Sequence, residues 1–166
     1  IKVEGVLLSH GTEDREIKFQ GPTVPTMNWR GIVFNATNTR SVGASELEYC
    51  RFDYANKIGD GFPNGGAVCI YNSDDVLVSS TFRTNGRKHS DNIEVLTSAG
   101  GAMYIKNSTP IMHDLKFSHN AANDGAAIFL EQSSPKISNT LIVENHADGF
   151  AGAIFINNSS PHIVNM

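Results

Sequence analysis

The stretch Gly100-Gly101-Ala102-Met103-Tyr104-Ile105 decides the fold, because copies of it recur along the chain. The copies lie at residues 65–70, 125–130 and 151–156, with a weaker one at residues 30–34. Their last residues, in chain order, are 36, 35, 25 and 26 residues apart. Spacings of this size are typical of solenoid proteins, in which each repeat is one structural unit.

Each copy opens a unit of three short apolar segments separated by turns rich in Gly, Asn, Ser and Pro. After Ile105 come a turn at residues 107–110, then Met112, then Phe117 with Asn120 three residues later. No segment has a helical period of useful length. One such unit cannot bury its apolar face alone, but units stacked at about 4.8 Å share a continuous core and pair their strands. The sequence therefore predicts an all-β parallel β-helix of about five coils, forming one domain over residues 1–166.

The alternation of apolar residues predicts which side chains face the core. The expected inward residues are Ile70, Ile105, Leu130, Ile156, Leu77, Met112, Ile137, Phe82, Phe117 and Ile142. Three stretches exceed the minimal unit, at residues 35–45, 57–64 and 86–99. Insertions in solenoids leave the rod at its corners, so we expect these stretches to project and to add no coil. The last copy stops before its third segment, and we therefore expect the domain to be a fragment of a longer solenoid.

The composition argues against several classes of protein. A net charge of -4 disfavours a nucleic-acid partner. The chain has no run of 18 apolar residues, so no membrane-spanning helix is expected. Cys50 and Cys69 provide neither a disulfide framework nor a zinc motif, and no histidine pair has a helical metal-binding spacing. We predict no bound metal and no cofactor, except calcium if the protein is a lyase.

The opening of the chain resembles a known family. Val3-Glu4-Gly5-Val6-Leu7, Ile17-Lys18-Phe19 and Trp29-Arg30-Gly31-Ile32 resemble the start of right-handed parallel β-helix regions, of the pectate-lyase-like superfamily, in secreted and surface proteins of bacteria. The Gly-Gly-Ala copies and the Phe-x-x-Asn segments are also similar to polymorphic outer-membrane protein repeats. The resemblance implies a right-handed helix in a secreted or cell-surface protein associated with the outer membrane. No stretch matches the catalytic signature of one enzyme family, since this superfamily includes lyases, hydrolases, epimerases, adhesins and spacers.

Two groups of residues are candidate sites. Tyr104, Phe129 and Phe155 alternate with the inward aliphatics, which predicts an outward aromatic stripe that could stack on sugar rings or a protein partner. A lyase needs carboxylates, usually with a cation, and a base. The acid–base candidates for that chemistry are Asp74, Asp75, Arg87, Lys88, His89 and Asp91.

Three functions remain open at this point. The first is a non-catalytic, adhesin-like surface module that binds a polysaccharide or a surface protein along its side. The second is a carbohydrate-active enzyme, either a lyase of acidic polysaccharide or a glycoside hydrolase. The third is a passive spacer. The regular stripe favours the first function over the second, because the acid–base cluster depends on an unrepeated loop.

Overall fold

The computed structural model describes residues 1–21, 29–35, 44–56, 64–89, 92–95 and 99–166. The strands of these residues are, in chain order, β1 (Lys2–Val3), β2 (Leu8–His10), β3 (Ile17–Gln20), β4 (Ile32–Asn35), β5 (Ser45–Asp53), β6 (Val68–Tyr71), β7 (Val76–Arg83), β8 (Arg87–His89), β9 (Asn92–Val95), β10 (Met103–Lys106), β11 (Ile111–Ser118), β12 (Ala121–Ala122), β13 (Ile128–Glu131), β14 (Lys136–Val143), β15 (His146–Ala147), β16 (Ile154–Asn157) and β17 (His162–Val164). In this part of the chain, no helix has the length and apolarity needed to cross a membrane.

The chain passes alternately through two large parallel sheets, as a β-helix requires. The first sheet has the order β1-β4-β6-β10-β13-β16, and the second runs β2-β5-β7-β11-β14-β17 with β3 also paired to β5. Strands of successive passes pair in parallel, so that Ile105 lies between Ile70 and Leu130. The predicted parallel β-helix is confirmed. The five copies of the first segment stack in the expected register. Strands β1 to β3 add a sixth layer beside the first of the five repeats.

A ladder of phenylalanines forms one side of the core. Phe19, Phe52, Phe82 and Phe117 stack in successive layers with ring centroids 4.8–4.9 Å apart. The last three are fully buried. The spacing equals the separation of hydrogen-bonded strands, so the ladder follows directly from an apolar residue recurring at one place in every coil.

The inward set is largely as predicted, with differences at three residues. Leu77 is only half-buried and pairs with Ile111, whereas the fully buried Val78 pairs with Met112. The prediction for Leu77 was wrong because two residues of β7 precede the buried Val78, whereas one residue of β11 precedes its partner Met112. Strand β7 then lacks the bulge that β11 has between Met112 and Lys116. Ile142 packs half-buried against the core, and Ile156 is 48% exposed because β16 is the outermost strand of its sheet.

Residues with positive φ turn the chain at regular places. In the coil of β10 and β11 they are Gly100 (φ 66), Asn107 (φ 49), Asp114 (φ 51) and His119 (φ 57). Asn, Asp and Gly adopt this backbone conformation most readily, which explains why turns of these residues separate the apolar segments. Gly100, Asn107 and His119 lie between strands, whereas Asp114 lies inside β11, at the register shift between Met112 and Lys116.

The long stretch at residues 86–99 adds no layer, as expected. Its strands β8 and β9 pair with each other in an antiparallel hairpin, and within the described residues neither joins a parallel sheet. The other two predicted loops fall mostly on residues 36–43 and 57–63, which lie outside the described residues.

Candidate functional site

The outer face of the first sheet presents two rows of side chains that run across the coils. Because Met103 and Ile105 point into the core, Tyr104 and Lys106 point outward. We call the two rows the aromatic row and the polar row. Register places Cys69, Tyr104, Phe129 and Phe155 in the aromatic row, and Tyr71, Lys106, Glu131 and Asn157 in the polar row.

The structure brings together the three residues predicted as a stripe. The ring centroids of Tyr104 and Phe129 are 5.5 Å apart, and those of Phe129 and Phe155 are 4.8 Å apart with an interplanar angle of 18°. Tyr71 of the polar row extends the contact, with its ring 5.5 Å from that of Tyr104. The result is one continuous aromatic surface over successive layers.

Tyr104 itself is not exposed, and the expectation of an open stripe was wrong at this residue. Only 3% of its surface is accessible, because it packs in a small second cluster with Val33, Cys69 and Ala99. The Cys69 thiol, also buried, donates to the carbonyl of Asn64 at 2.8 Å. A segment next to β6 therefore covers this end of the stripe, which periodicity within the strands could not reveal.

A hydrogen-bonded triad joins the two rows. The Tyr104 hydroxyl donates to one carboxylate oxygen of Glu131, and the Lys106 ammonium donates to the other at 2.8 Å. The bond from Lys106, followed by that from Tyr104, holds the pKa of Glu131 below its ordinary value. Burial, followed by the bond to Glu131, raises the pKa of Tyr104, so the phenol stays neutral.

The accessible part of the aromatic row lies over the last two layers. Phe129 and Phe155 are half-buried, and Phe150 beside them is 70% exposed with its ring 6.4 Å from that of Phe155. The repeat pattern does not single out Phe150, Tyr71, Lys106 or Glu131 as site residues. One signal for Phe150 was present, since an aromatic residue stands there at the turn position that Asp124 fills one coil earlier.

The acid–base candidates do not form a described cluster. Asp74 and Asp75 lie in the turn before β7, whereas Arg87 begins the hairpin after it. Asp74 has a structural role, because its carboxylate accepts hydrogen bonds from the backbone and hydroxyl of Thr109 at 2.8 and 2.9 Å. Only the backbone is described for Arg87, Lys88 and His89, and Asp91 lies outside the described residues.

Comparison with known proteins identifies the family. The model of the right handed beta helix region matches residues 5–166. The chain belongs to this family. The match agrees with the parallel layers described above and identifies the β-helix as right-handed. No curated protein and no solved structure matched the chain.

Proposed function

We propose that this right-handed β-helix is a non-catalytic module that binds a glycan along the outer face of its first sheet. The observation that carries the proposal is the accessible aromatic surface of Phe129, Phe155 and Phe150 beside the polar row. Sugar rings have apolar faces that pack on aromatic rings and hydroxyls that need hydrogen-bond partners. Both requirements are met within two layers of this face.

The polar row supplies the second half of the recognition. The Lys106 side chain is 35% exposed and that of Glu131 is 25% exposed, so both can meet a ligand while paired with each other. An ammonium group would also favour a glycan that carries carboxylates. In this proposal the module acts outside the cell or on the bacterial surface, in association with the outer membrane, where polysaccharides are accessible.

The contacts support a lyase less well. Asp74 is held by Thr109 in a turn, and the whole of β7 separates it along the chain from Arg87. Elimination would need these groups within hydrogen-bond reach of one substrate proton.

The test is binding of the parent protein to a glycan array, repeated with Phe155→Ala. We expect glycans that bind the parent to bind about fivefold more weakly to the variant, because a stacking contact contributes about 1 kcal/mol. Leu141→Ala is the matched control, since Leu141 is 50% exposed on the second sheet and its loss should not alter binding.

Other outcomes would count against the proposal. Array binding that is equal in parent and Phe155→Ala, or no binding at all, would overturn it. Capture of a surface protein instead of a glycan would indicate the protein-binding form of the module. Cleavage of a polyuronate with calcium, abolished by Asp75→Ala, would establish the lyase.

A further inference from the structure

A group of metal-ligating side chains lies on the second sheet, away from the aromatic and polar rows. His10 of β2 and Glu46 and Glu48 of β5 each offer one ligand atom, and these atoms all lie within 4.8 Å of one another. The His10 Nε2 and Glu46 Oε2 atoms are 2.6 Å apart. The three residues come from two consecutive layers, and His10 precedes Glu46 by 36 positions in the sequence.

The backbone fixes this group in place. Strands β2 and β5 pair in parallel with Leu8 opposite Glu46 and His10 opposite Glu48. Ser9 and Leu47 between them are buried, so alternation directs His10, Glu46 and Glu48 to the outside. The Gly11 amide donates to the Glu48 carbonyl at 2.9 Å and closes the pairing beyond His10. The three side chains thus start from rigid positions on one surface.

The charges of the group are incompletely balanced. Glu46 and Glu48 hold two carboxylates on the same side of one strand, and His10 is in contact with only the first. Within the described ranges, no Lys, Arg or His nitrogen lies within ion-pair distance of the Glu48 carboxylate. Like charges this close favour a cation between them.

We propose that His10, Glu46 and Glu48 bind a divalent transition-metal ion, and that zinc is the ion these ligands suit best. Metal–ligand bonds of about 2.0–2.2 Å place the donor atoms of a tetrahedral site about 3.3–3.6 Å apart. Since the three ligand atoms already lie within 4.8 Å of one another, side-chain rotations can complete that geometry. One imidazole and two carboxylates suit Zn²⁺ or Mn²⁺, whereas calcium prefers oxygen ligands alone. The ion replaces the proton between His10 and Glu46 and ties the N-terminal layer to the next one.

The experiment titrates the parent protein with ZnCl₂ by calorimetry and with CoCl₂ by visible absorption. We expect one saturable site per chain, ligand-field bands with Co²⁺, and a rise in melting temperature with Zn²⁺. His10→Gln and the isosteric Glu48→Gln should each weaken Zn²⁺ binding at least tenfold while the β-sheet circular dichroism is retained.

The matched control is His119→Gln. His119 and Glu144 form an exposed pair at 2.9 Å in another part of the surface, without a third ligand in the described residues. This variant should bind Zn²⁺ like the parent. The proposal is overturned if the parent shows no saturable binding below millimolar Zn²⁺, if His10→Gln and His119→Gln bind equally, or if Ca²⁺ binds as tightly as Zn²⁺.

Discussion

Asn120 shows how single side chains connect the layers. It is fully buried, and its Oδ1 atom accepts from both the backbone and the side-chain nitrogen of Asn85 at 3.0 Å. Its Nδ2 atom donates to the Phe82 carbonyl and to Asn145 of the next layer. The amide thus satisfies backbone groups at a corner where the sheets cannot, which makes this asparagine ladder structural.

Replacing Asn120 with alanine should lower the free energy of unfolding by about 3–5 kcal/mol. The change leaves the Asn85 amide and the Phe82 carbonyl buried without their partners, and each such group costs about 1–3 kcal/mol. Urea denaturation followed by circular dichroism measures the difference.

The control is Asn107→Gly, at a corner of the same coil where the amide is exposed and φ is positive. Glycine adopts this conformation freely, so stability should change by less than about 1 kcal/mol. Equal losses in the two variants would show that the buried ladder has no special role.

The sequence predicted residues of this kind well when their environment repeats. The Phe-x-x-Asn pattern recurs in the sequence, and Asn85 and Asn120 occupy equivalent corners. In the first unit Ala55 stands three places after Phe52, and its amide donates to Asn85. The burial of Tyr104 could not be predicted in this way, because it involves Ala99, which stands outside the repeated segment. His10 and Glu46 escaped notice because β2 belongs to no recognised copy.

At the scale of the strand, one position on three neighbouring strands gives a direct measure of burial. Ile105, Leu130 and Ile156 occupy equivalent places on β10, β13 and β16. The first two are fully buried, and the third is 48% exposed at the outer strand of the sheet. Ile105 and Ile156 have the same side chain, so the difference between their exposed fractions results from the layers in which they lie.

Ile105→Ala should reduce the free energy of unfolding by about 2–5 kcal/mol, because it leaves a cavity between two rigid layers. Ile156→Ala should cost less than about 1.5 kcal/mol, since the side chain already contacts solvent. Thermal and urea unfolding of the two variants, compared with the parent, measures both values. A larger loss for Ile156→Ala would contradict the assigned register.

Strand existence and facing were predictable because alternation with a period of two is a local property. The exact register of β7 was not predictable, since an early extra residue and a missing bulge cancel within the strand and leave Phe82 where expected. The shift affects the start of β7, where Val78 is buried at the place expected for Leu77. Errors of this kind depend on backbone geometry that neighbouring strands impose.

At the scale of the whole molecule, one contact between adjacent layers makes stability depend on pH. The bonds from Lys106 and Tyr104 lower the pKa of Glu131 below 4.5 in the folded protein. The stabilisation is therefore complete above pH 4.5 and is lost as the pH falls through the lowered value. Both partners come from β10 and the carboxylate from β13, so acid loosens a contact between coils.

Glu131→Gln should remove this part of the acid sensitivity. We expect the parent to lose more stability than the variant between pH 5 and pH 3, because only the parent has a carboxylate to protonate here. Urea unfolding at a series of pH values gives the two curves. Parallel curves over this interval would show that the triad contributes nothing to acid unfolding.

The ladder of parallel hydrogen bonds also determines how the protein should respond to tension. Those bonds point along the rod, so a force that pulls the two ends apart acts on every interface between coils in series. Releasing the 25 residues between the paired Ile105 and Leu130 shortens the rod by about 4.8 Å but frees up to about 85 Å of extended polypeptide. Each detached coil thus absorbs work over a distance many times its own thickness, and a rod of this design yields stepwise and lengthens greatly before it breaks.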